Sequence, residues 1–492
     1  MRGSRRVQAR PRIRGDGTGE RRPAGQALQG TNSGTDFSPP TYHFLLHGFV
    51  QAAGAADGHL VWRLPSILAV YGAALCTYLL LVKSQLSRLA AVLGFGVVLA
   101  FWLFDYAIQA RQYALLTLGL ALALLLWWDI DDTHVGKVRA FCLWLVLAVC
   151  LCLHFYGVIE VAAIGTAELV YWISRRRFRI AVWMALLLTV PVEAALYPLA
   201  SHLAKFNAGD NLASGYYAKP AIGGFLDAVF DVIGGGGLGT LLLILAFLVM
   251  GIAYLLERSK PRSAAAAESI QTGPVVQLTK IEIVIISLCI LPLITFAFSL
   301  FVTGSFSSRY MAAGALLPAI AAPYMLDRLP SRRFVALALV PLIVGILILR
   351  SHAPDPVADA LTVLQKPRPA FPIVVGEGLL YIELMEAADP NTKSELVYLK
   401  RPAGSFSPDP TNENLVTRLA TFHPEYRVGE PNAFLESNAN FYELYRPGMS
   451  TDTTTPSLIE KGRLGSPLDA ERGILLFQPL PSPQAPQSDA KR

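Results

Sequence analysis

The chain has 492 residues, of which 53% are hydrophobic and only 16% charged, and its mean hydropathy is positive. That balance excludes an ordinary soluble globular protein and requires a polytopic membrane protein. The net charge of +6 does not point to nucleic acid, because Lys and Arg fall in short clusters between apolar segments and are not gathered on one motif.

Residues 1–36 carry Arg2, Arg5, Arg6, Arg10, Arg12, Arg14, Arg21 and Arg22 and no apolar run. They read as a disordered Arg-rich segment with neither a signal peptide nor a span. From residue 37 to 350 the chain is predominantly apolar. A helix needs about 20 apolar residues to cross the hydrocarbon core. Ten segments fit, at 61–83, 88–108, 112–129, 138–155, 157–173, 180–200, 239–257, 281–303, 309–327 and 333–350. Trp62, Trp127, Trp128 and Trp172 lie near segment ends, as an aromatic belt requires.

Alternating spans sort the connections into two sets. One holds Lys83, Arg88, Lys137, Arg139, Arg175, Arg176, Arg177, Arg179, Arg258, Lys260, Arg262, Lys280, Arg328, Arg332 and Arg333; the other offers Arg63, Arg111, Lys205, Lys219 and Arg309. The richer side is expected in the cytoplasm. Residues 37–60, the loop 201–238 and everything after 350 are then outside, which in a bacterium is the periplasm. This arrangement puts the N-terminal arginines outside, against the charge rule. One more span before residue 37 would remove the conflict, so the start reads as a truncated or mis-started frame, with a real disordered tail as the alternative.

Cys76, Cys142, Cys150, Cys152 and Cys289 all lie in apolar segments and form neither a disulfide framework nor a zinc pattern. Cys150 and Cys152 are two apart, so they point to different sides of a helix and read as packing residues.

Polar residues gathered at one membrane face mark a functional site, and here they gather on the outer side. Asp36, Tyr42, His43 and His47 flank the double proline; Arg63 opens the first full span; Asp105, Gln109, Arg111 and Tyr113 occupy the next outer turn; Ser308, Arg309 and Tyr310 open the ninth segment. Three arginines at one level suit an anion, because the planar fork of Arg binds two phosphate oxygens at once. Each alone also reads as an interfacial snorkel.

Four stretches in this order, PPTYHFLL, RLPSIL, IQARQYALL and SSRYMAAGALLPAI, resemble polytopic glycosyltransferases of the GT-C class. The similarity is to family 39 protein mannosyltransferases, aminoarabinose transferases and rhizobial lipopolysaccharide glycosyltransferase-like proteins, over residues 37–350. The resemblance implies a GT-C-like membrane domain of about ten helices and transfer of a sugar from a polyprenyl-phosphate donor to a glycan, lipid or protein acceptor at the periplasmic face of a bacterial inner membrane. It implies phosphate holding by Arg111 and Arg309, with Tyr113 and Tyr310 as neighbours and Arg63, Tyr42 and His43 as further candidates. Such chemistry needs stabilisation of the phosphate as charge grows and a carboxylate to take the acceptor proton.

The carboxylate is where this sequence departs from the family. Relatives carry an Asp, often followed by Glu, after a first transmembrane helix upstream of the double proline, and that helix and pair are absent here. Asp36 and Asp105 are the candidate bases, each set against a plain loop residue. Many members also have Glu where this chain has Gln109. A non-catalytic relative is therefore one alternative, and a transporter or flippase of a lipid-linked substrate is another. The transporter reading needs internal repeats, and none stands out.

His43 and His47 share a helix face, but Phe44 follows where a zinc protease motif has Glu, and no third ligand follows. No cofactor is assigned, with a divalent metal left open. The run IGGGG at 233–237 lacks the Gly-Lys-Ser/Thr of a phosphate loop. His154, Tyr156 and Glu160 in LHFYGVIE lie at an outer turn and read either as a buried polar set serving substrate or as helix-helix hydrogen bonding. The loop 201–238 is too long for a mere connector.

Residues 351–480 have a soluble composition and are expected to fold as a separate α/β domain of about 130 residues. FPIVVGEGLLYIELM reads as strand then helix, ELVYL as a strand, NENLVTRLATFH as a helix, and FYELY and GILLFQPL as strands. Residues 481–492 read as a disordered tail.

Overall fold

The structure, a computed structural model, describes residues 39, 41–53, 59–100, 111–130, 134–209, 219–234, 252, 278–329, 356–400, 410–438, 440–446, 464–471 and 474–479. The expected span 239–257, apart from Ile252, and the expected span 333–350 lie outside the described residues, as do both expected disordered ends.

Among the described residues the apolar part is largely helical. A short helix α1 (Thr41–Ala52) follows the double proline, then α2 (His59–Lys83), α3 (Arg88–Ala100), α4 (Tyr113–Trp128), α5 (His134–Leu153) and α6 (Gly157–Arg175). Helices α7 (Ile180–Leu187), α8 (Val190–Gly209), α9 (Ile222–Gly234), α10 (Lys280–Phe298) and α11 (Leu316–Leu326) complete it. Among the described residues five stretches, Val61–Lys83, Val135–Leu153, Gly157–Arg175, Ile180–Ser201 and Lys280–Thr303, are long and apolar enough to cross a bilayer. The α3 and α4 helices are apolar but shorter.

Helix α4, YALLTLGLALALLLWW, is Leu/Ala-rich, a composition that favours helix strongly, and it is apolar on every side. It accordingly sits in the middle, against α2, α5 and α6. Helix α10 packs on α6, and α11 on α3. The last contact needs Gly94, because a Cβ there would come within 2.7 Å of the Ala319 carbonyl oxygen. Small residues let membrane helices approach this closely.

Two expected spans are interrupted. The segment 180–200 breaks after Leu187, where Pro191 has no N–H to continue the ladder and the Thr189 hydroxyl bonds the Leu186 carbonyl at 2.7 Å. The segment 309–327 begins as a 3₁₀ helix (Ser308–Ala315) and becomes α-helical only at Leu316. Pro318 offers no N–H to the Gly314 carbonyl, which favours the tighter turn before it.

At one end of the bundle, cations that the sequence places in loops are bound to helix ends. Lys83 pairs with Asp129, Arg139 donates to the Asp129 carbonyl at 2.9 Å, Lys280 to the Trp128 carbonyl at 2.6 Å, and Arg175 to the Leu278 carbonyl at 2.8 Å. Arg179 departs furthest from the loop reading. It is 2% exposed, paired with the fully buried Glu168, and it donates to the Trp127 and Ile130 carbonyls. Trp127 also corrects the belt reading: its ring is wholly buried and its indole N–H donates to Glu168.

The C-terminal part holds a six-stranded mixed sheet. Its strands are β1 (Ile373–Val375), β2 (Leu396–Leu399), β3 (Val428–Gly429), β4 (Tyr442–Tyr445), β5 (Leu464–Glu471) and β6 (Ile474–Pro479), in the order β3-β2-β1-β4-β6-β5. The first four are parallel, Ile373 standing between Leu396 and Tyr442, and β6 and β5 add on antiparallel. Helices α12 (Pro356–Leu364), α13 (Gly378–Ala387), α14 (Pro390–Glu395), α15 (Pro410–Phe422) and α16 (Pro431–Ser437) connect or flank the strands. Ile373, Val375, Tyr442 and Leu444 face one core with Leu380 and Leu384; Val374, Val397 and Leu399 face another with Phe434 and Phe441. Burial on both faces is what a parallel sheet requires.

Candidate active site

The four sequence motifs converge at the end of the bundle opposite the cation seam. Tyr42 of α1 is 3% exposed, and its hydroxyl has no hydrogen-bond partner among the described residues. Burial pushes its phenol above the ordinary value, while the neighbouring Ser66 hydroxyl and the Arg111 charge pull the other way. Ser66 follows Pro65 in α2 and donates to the Arg111 backbone carbonyl at 3.2 Å. This bond ties the RLPSIL and QARQY motifs together just where α4 begins. Arg111 is partly exposed; Arg63, one turn before Ser66, is exposed.

Beyond Arg111 lies a cluster of aromatic rings. The buried Tyr113 ring is 5.6 Å from His154 and 6.4 Å from Tyr310, and His154 is 5.8 Å from Tyr310. Tyr156 stacks on Tyr310 with centroids 4.0 Å apart and planes 13° from parallel. The Arg309 guanidinium lies 5.5 Å from the Tyr310 centroid, within cation–π range. Arg309 thus directly precedes one ring of the Tyr113–Tyr310 pair, and Arg111 stands two residues before the other.

His154 has a defined tautomer. Its Nδ1 accepts from the Tyr156 backbone N–H at 3.1 Å, so the neutral ring carries its proton on Nε2. His154 and Tyr156 sit in the turn between α5 and α6. That turn is tight because a Cβ on Gly157 would come within 2.4 Å of the Cys150 carbonyl oxygen.

The Arg309 segment is held by an irregular helix end. After Phe298 the α10 ladder widens into a π-turn (Ser299–Thr303), closed by Gly304 at φ 65°, a conformation suited to glycine. The Tyr156 hydroxyl donates to the Ser305 carbonyl at 2.6 Å and has the Ser299 and Thr303 hydroxyls each at 2.8 Å. Phe306 packs against Phe225 of α9 and Phe296 of α10, and Val232 of α9 lies over Gly314. The loop 201–238 therefore contributes a helix that covers the 3₁₀ segment.

Of the sequence candidates, the structure brings together Tyr42, Arg111, Tyr113, Arg309 and Tyr310. His43 and His47 lie on the exposed side of α1, and His47 faces Gln51 with 2.9 Å between their nitrogens. Asp36, Asp105 and Gln109 lie outside the described residues. Among the described residues no group of three His, Cys, Asp or Glu side chains is placed to hold a metal ion. Glu160, in the first turn of α6, is 3% exposed, and its Oε2 has no hydrogen-bond partner among the described residues. The π-turn escaped the sequence reading; the only trace of it is the alternation of small polar residues, Ser299, Thr303 and Ser305, within an apolar run.

No family model matches the chain, and no curated protein sequence matches it. Among solved structures it is similar to ArnT from Cupriavidus metallidurans in the apo state, at 14% identity over 90% of this chain and 87% of that one, with a TM-score of 0.52. It is also similar to the same ArnT bound to undecaprenyl phosphate, at 14% identity over 92% of each chain and a TM-score of 0.47. A third is the Archaeoglobus fulgidus oligosaccharyltransferase in complex with Zn and sulfate, at 14% identity over 83% of this chain and 59% of that one, with a TM-score of 0.40. Likeness at this identity is a likeness of fold: the chain is a multi-pass membrane protein that shares the fold of that ArnT.

Proposed function

We propose that this chain is a membrane glycosyltransferase that moves a sugar from a polyprenyl-phosphate donor to a glycan, lipid or protein acceptor on the periplasmic side of a bacterial inner membrane. The observation that carries the reading is the meeting of Tyr113 and Tyr310, the first two residues after Arg111 and the second directly after Arg309, at one end of an apolar bundle. In this reading Arg111 and Arg309 hold the phosphate. Tyr42, buried beside Ser66 and Arg111, adds a hydroxyl at the same end of the bundle.

The acceptor oxygen attacks the anomeric carbon as the bond from that carbon to the phosphate oxygen breaks, with inversion. The lipid phosphate leaves with the electron pair, and the acceptor proton passes to a carboxylate, Asp36 or Asp105. Charge grows on the phosphate in the transition state, so cations fixed there accelerate the step instead of only tightening binding.

The test is binding of undecaprenyl phosphate by the purified full chain, with undecaprenol, which lacks the phosphate, as the control. Binding of the phosphate but not the alcohol, lost in Arg111→Ala and Arg309→Ala with the proteins still folded in the membrane, supports the reading. Equal binding of both lipids, or unchanged binding in either variant, overturns the arginine assignment.

A further inference from the structure

We infer that Tyr156 is a positioning residue that sets the place of Arg309, acting through both its ring and its hydroxyl. The inference rests on the assignment of Arg309 to phosphate holding.

Tyr156 has two separate grips on the Arg309 segment. Its ring lies flat on Tyr310, the residue next to Arg309, at 4.0 Å and 13°. Its hydroxyl fixes the path of the chain four residues before Arg309, at the Ser305 carbonyl. The same oxygen is 2.8 Å from Ser299 Oγ and from Thr303 Oγ1, the first and last residues of the π-turn. One phenol thus spans the widened turn from end to end and holds its exit.

The π-turn needs such a clamp. A five-residue turn at the end of an α-helix is uncommon, and where π-turns occur they often mark functional sites. Gly304 then reverses the chain with φ 65°, and the 3₁₀ helix that follows has weaker hydrogen-bond geometry than an α-helix. Of the backbone between Ser299 and Arg309, the part nearest the arginine is irregular, so its position is set by side chains. Phe306 supplies apolar packing against Phe225 and Phe296. Tyr156 supplies the directional part, because a hydrogen bond fixes distance and angle where apolar contact fixes only proximity.

Tyr156 itself is firmly anchored. Its backbone N–H is committed to His154 Nδ1, and Gly157 beside it sits against the backbone of α5 at Cys150. The α5–α6 turn is therefore the fixed body, and the Arg309 segment is placed by reference to it. Phosphate recognition by a guanidinium depends on the direction of its donors, so a slack segment weakens binding with the charge still present.

The experiment measures undecaprenyl phosphate affinity in the purified full chain for wild type, Tyr156→Phe, Arg309→Ala and the double variant. Tyr156→Phe keeps the stack and removes only the hydroxyl; the expected loss is about tenfold, on the order of one buried hydrogen bond. The double variant is expected to bind no more weakly than Arg309→Ala alone, because Tyr156 acts only through the arginine. Thr303→Val, which removes one of the clamped hydroxyls at similar volume, is expected to lose several-fold and carries the test if Tyr156→Phe does not fold. Wild-type affinity in Tyr156→Phe, or in Thr303→Val if that variant has to stand in, overturns the inference. A loss in the double variant equal to the product of the two single losses overturns it as well. Wild-type affinity in Arg309→Ala overturns the phosphate assignment itself, a failure distinct from that of the positioning role.

Discussion

The guanidinium of Arg179 lies 4.0 Å from the centre of the Tyr171 ring and 4.7 Å from that of Trp127, while its Nε lies 3.1 Å from a carboxylate oxygen of Glu168. Both charged side chains are nearly or wholly excluded from solvent, at 3% and 0% exposure. Removing one partner strands a buried charge. Arg179→Ala and Glu168→Ala are each expected to destabilise by about 3–5 kcal/mol, whereas Arg179→Met combined with Glu168→Leu costs far less. Thermal unfolding of the detergent-solubilised protein separates the two outcomes, and equal losses in the single and double variants would refute the pairing.

Arg309→Lys tests what the fork contributes. Lysine keeps the charge but presents a point cation without the planar pair of donors. Undecaprenyl phosphate affinity is expected to fall about tenfold in Arg309→Lys and about a hundredfold in Arg309→Ala, the first figure being the share of the bidentate geometry. Equal affinity of wild type and Arg309→Lys would leave only a charge requirement.

Gly157→Ala places a methyl where the Cys150 backbone already stands at 2.4 Å. Backbone cannot yield as a side-chain tip does, so the start of α6 must move off α5. The expected cost is about 1–3 kcal/mol, accompanied by weaker undecaprenyl phosphate binding, because Tyr156 moves with its neighbour. Gly96→Ala, with nothing within 4 Å of the added atom, is the control and is expected to change neither.

Asp389 caps α14. Its side chain accepts from the Asn391 and Thr392 backbone N–H groups and the Thr392 hydroxyl, and these bonds, the hydroxyl's foremost, hold its carboxyl below the usual range. A depressed folded-state value means that the contribution is present above the ordinary carboxyl value of about 3.9 and disappears as pH falls through the lower folded value. Amide protection at Asn391 and Thr392, corrected for intrinsic exchange, is expected to drop on that acid limb. Asp389→Asn, which keeps an acceptor but does not titrate, is expected to abolish the drop.

Much of this was legible in the sequence for reasons that can be located. The four motifs meet because each lies at the same end of its helix, and alternation of apolar segments alone determines that. In the C-terminal sheet, β1, β2, β4 and β6 are runs of Val, Ile, Leu, Tyr and Phe, and they are the interior strands. The unread strands, β3 and β5, are its two edges. Edges are poorly signed by composition: β3 is two residues long, and β5, LGSPLDAE, contains Pro467 and a register shift beside it. Arg179 was misread because charge counting assigns any Arg between spans to a loop, while its partner Glu168 stands eleven residues earlier in a different pattern. The Tyr156 clamp was half visible. LHFYGVIE stood out as polar residues at a turn, but its partners Ser299 and Thr303 are more than 140 positions away, and no local pattern links them.

The seam at the far end of the bundle bears on how the chain enters the bilayer. Lys280 reaches the last carbonyls of α4, Arg139 the residue just after them, and Arg179 reaches carbonyls on both sides of that junction. Those carbonyls lie at a helix end, where the last turns of an α-helix lack their full set of intrahelical donors. If one hairpin failed to cross during synthesis, its cation would be stranded on the far leaflet and the end of α4 would be left bare. Mixed topologies are therefore penalised twice, first by the charge preference during insertion and again when the finished helices come together, and the second check can reject a misthreaded chain that the first has let through.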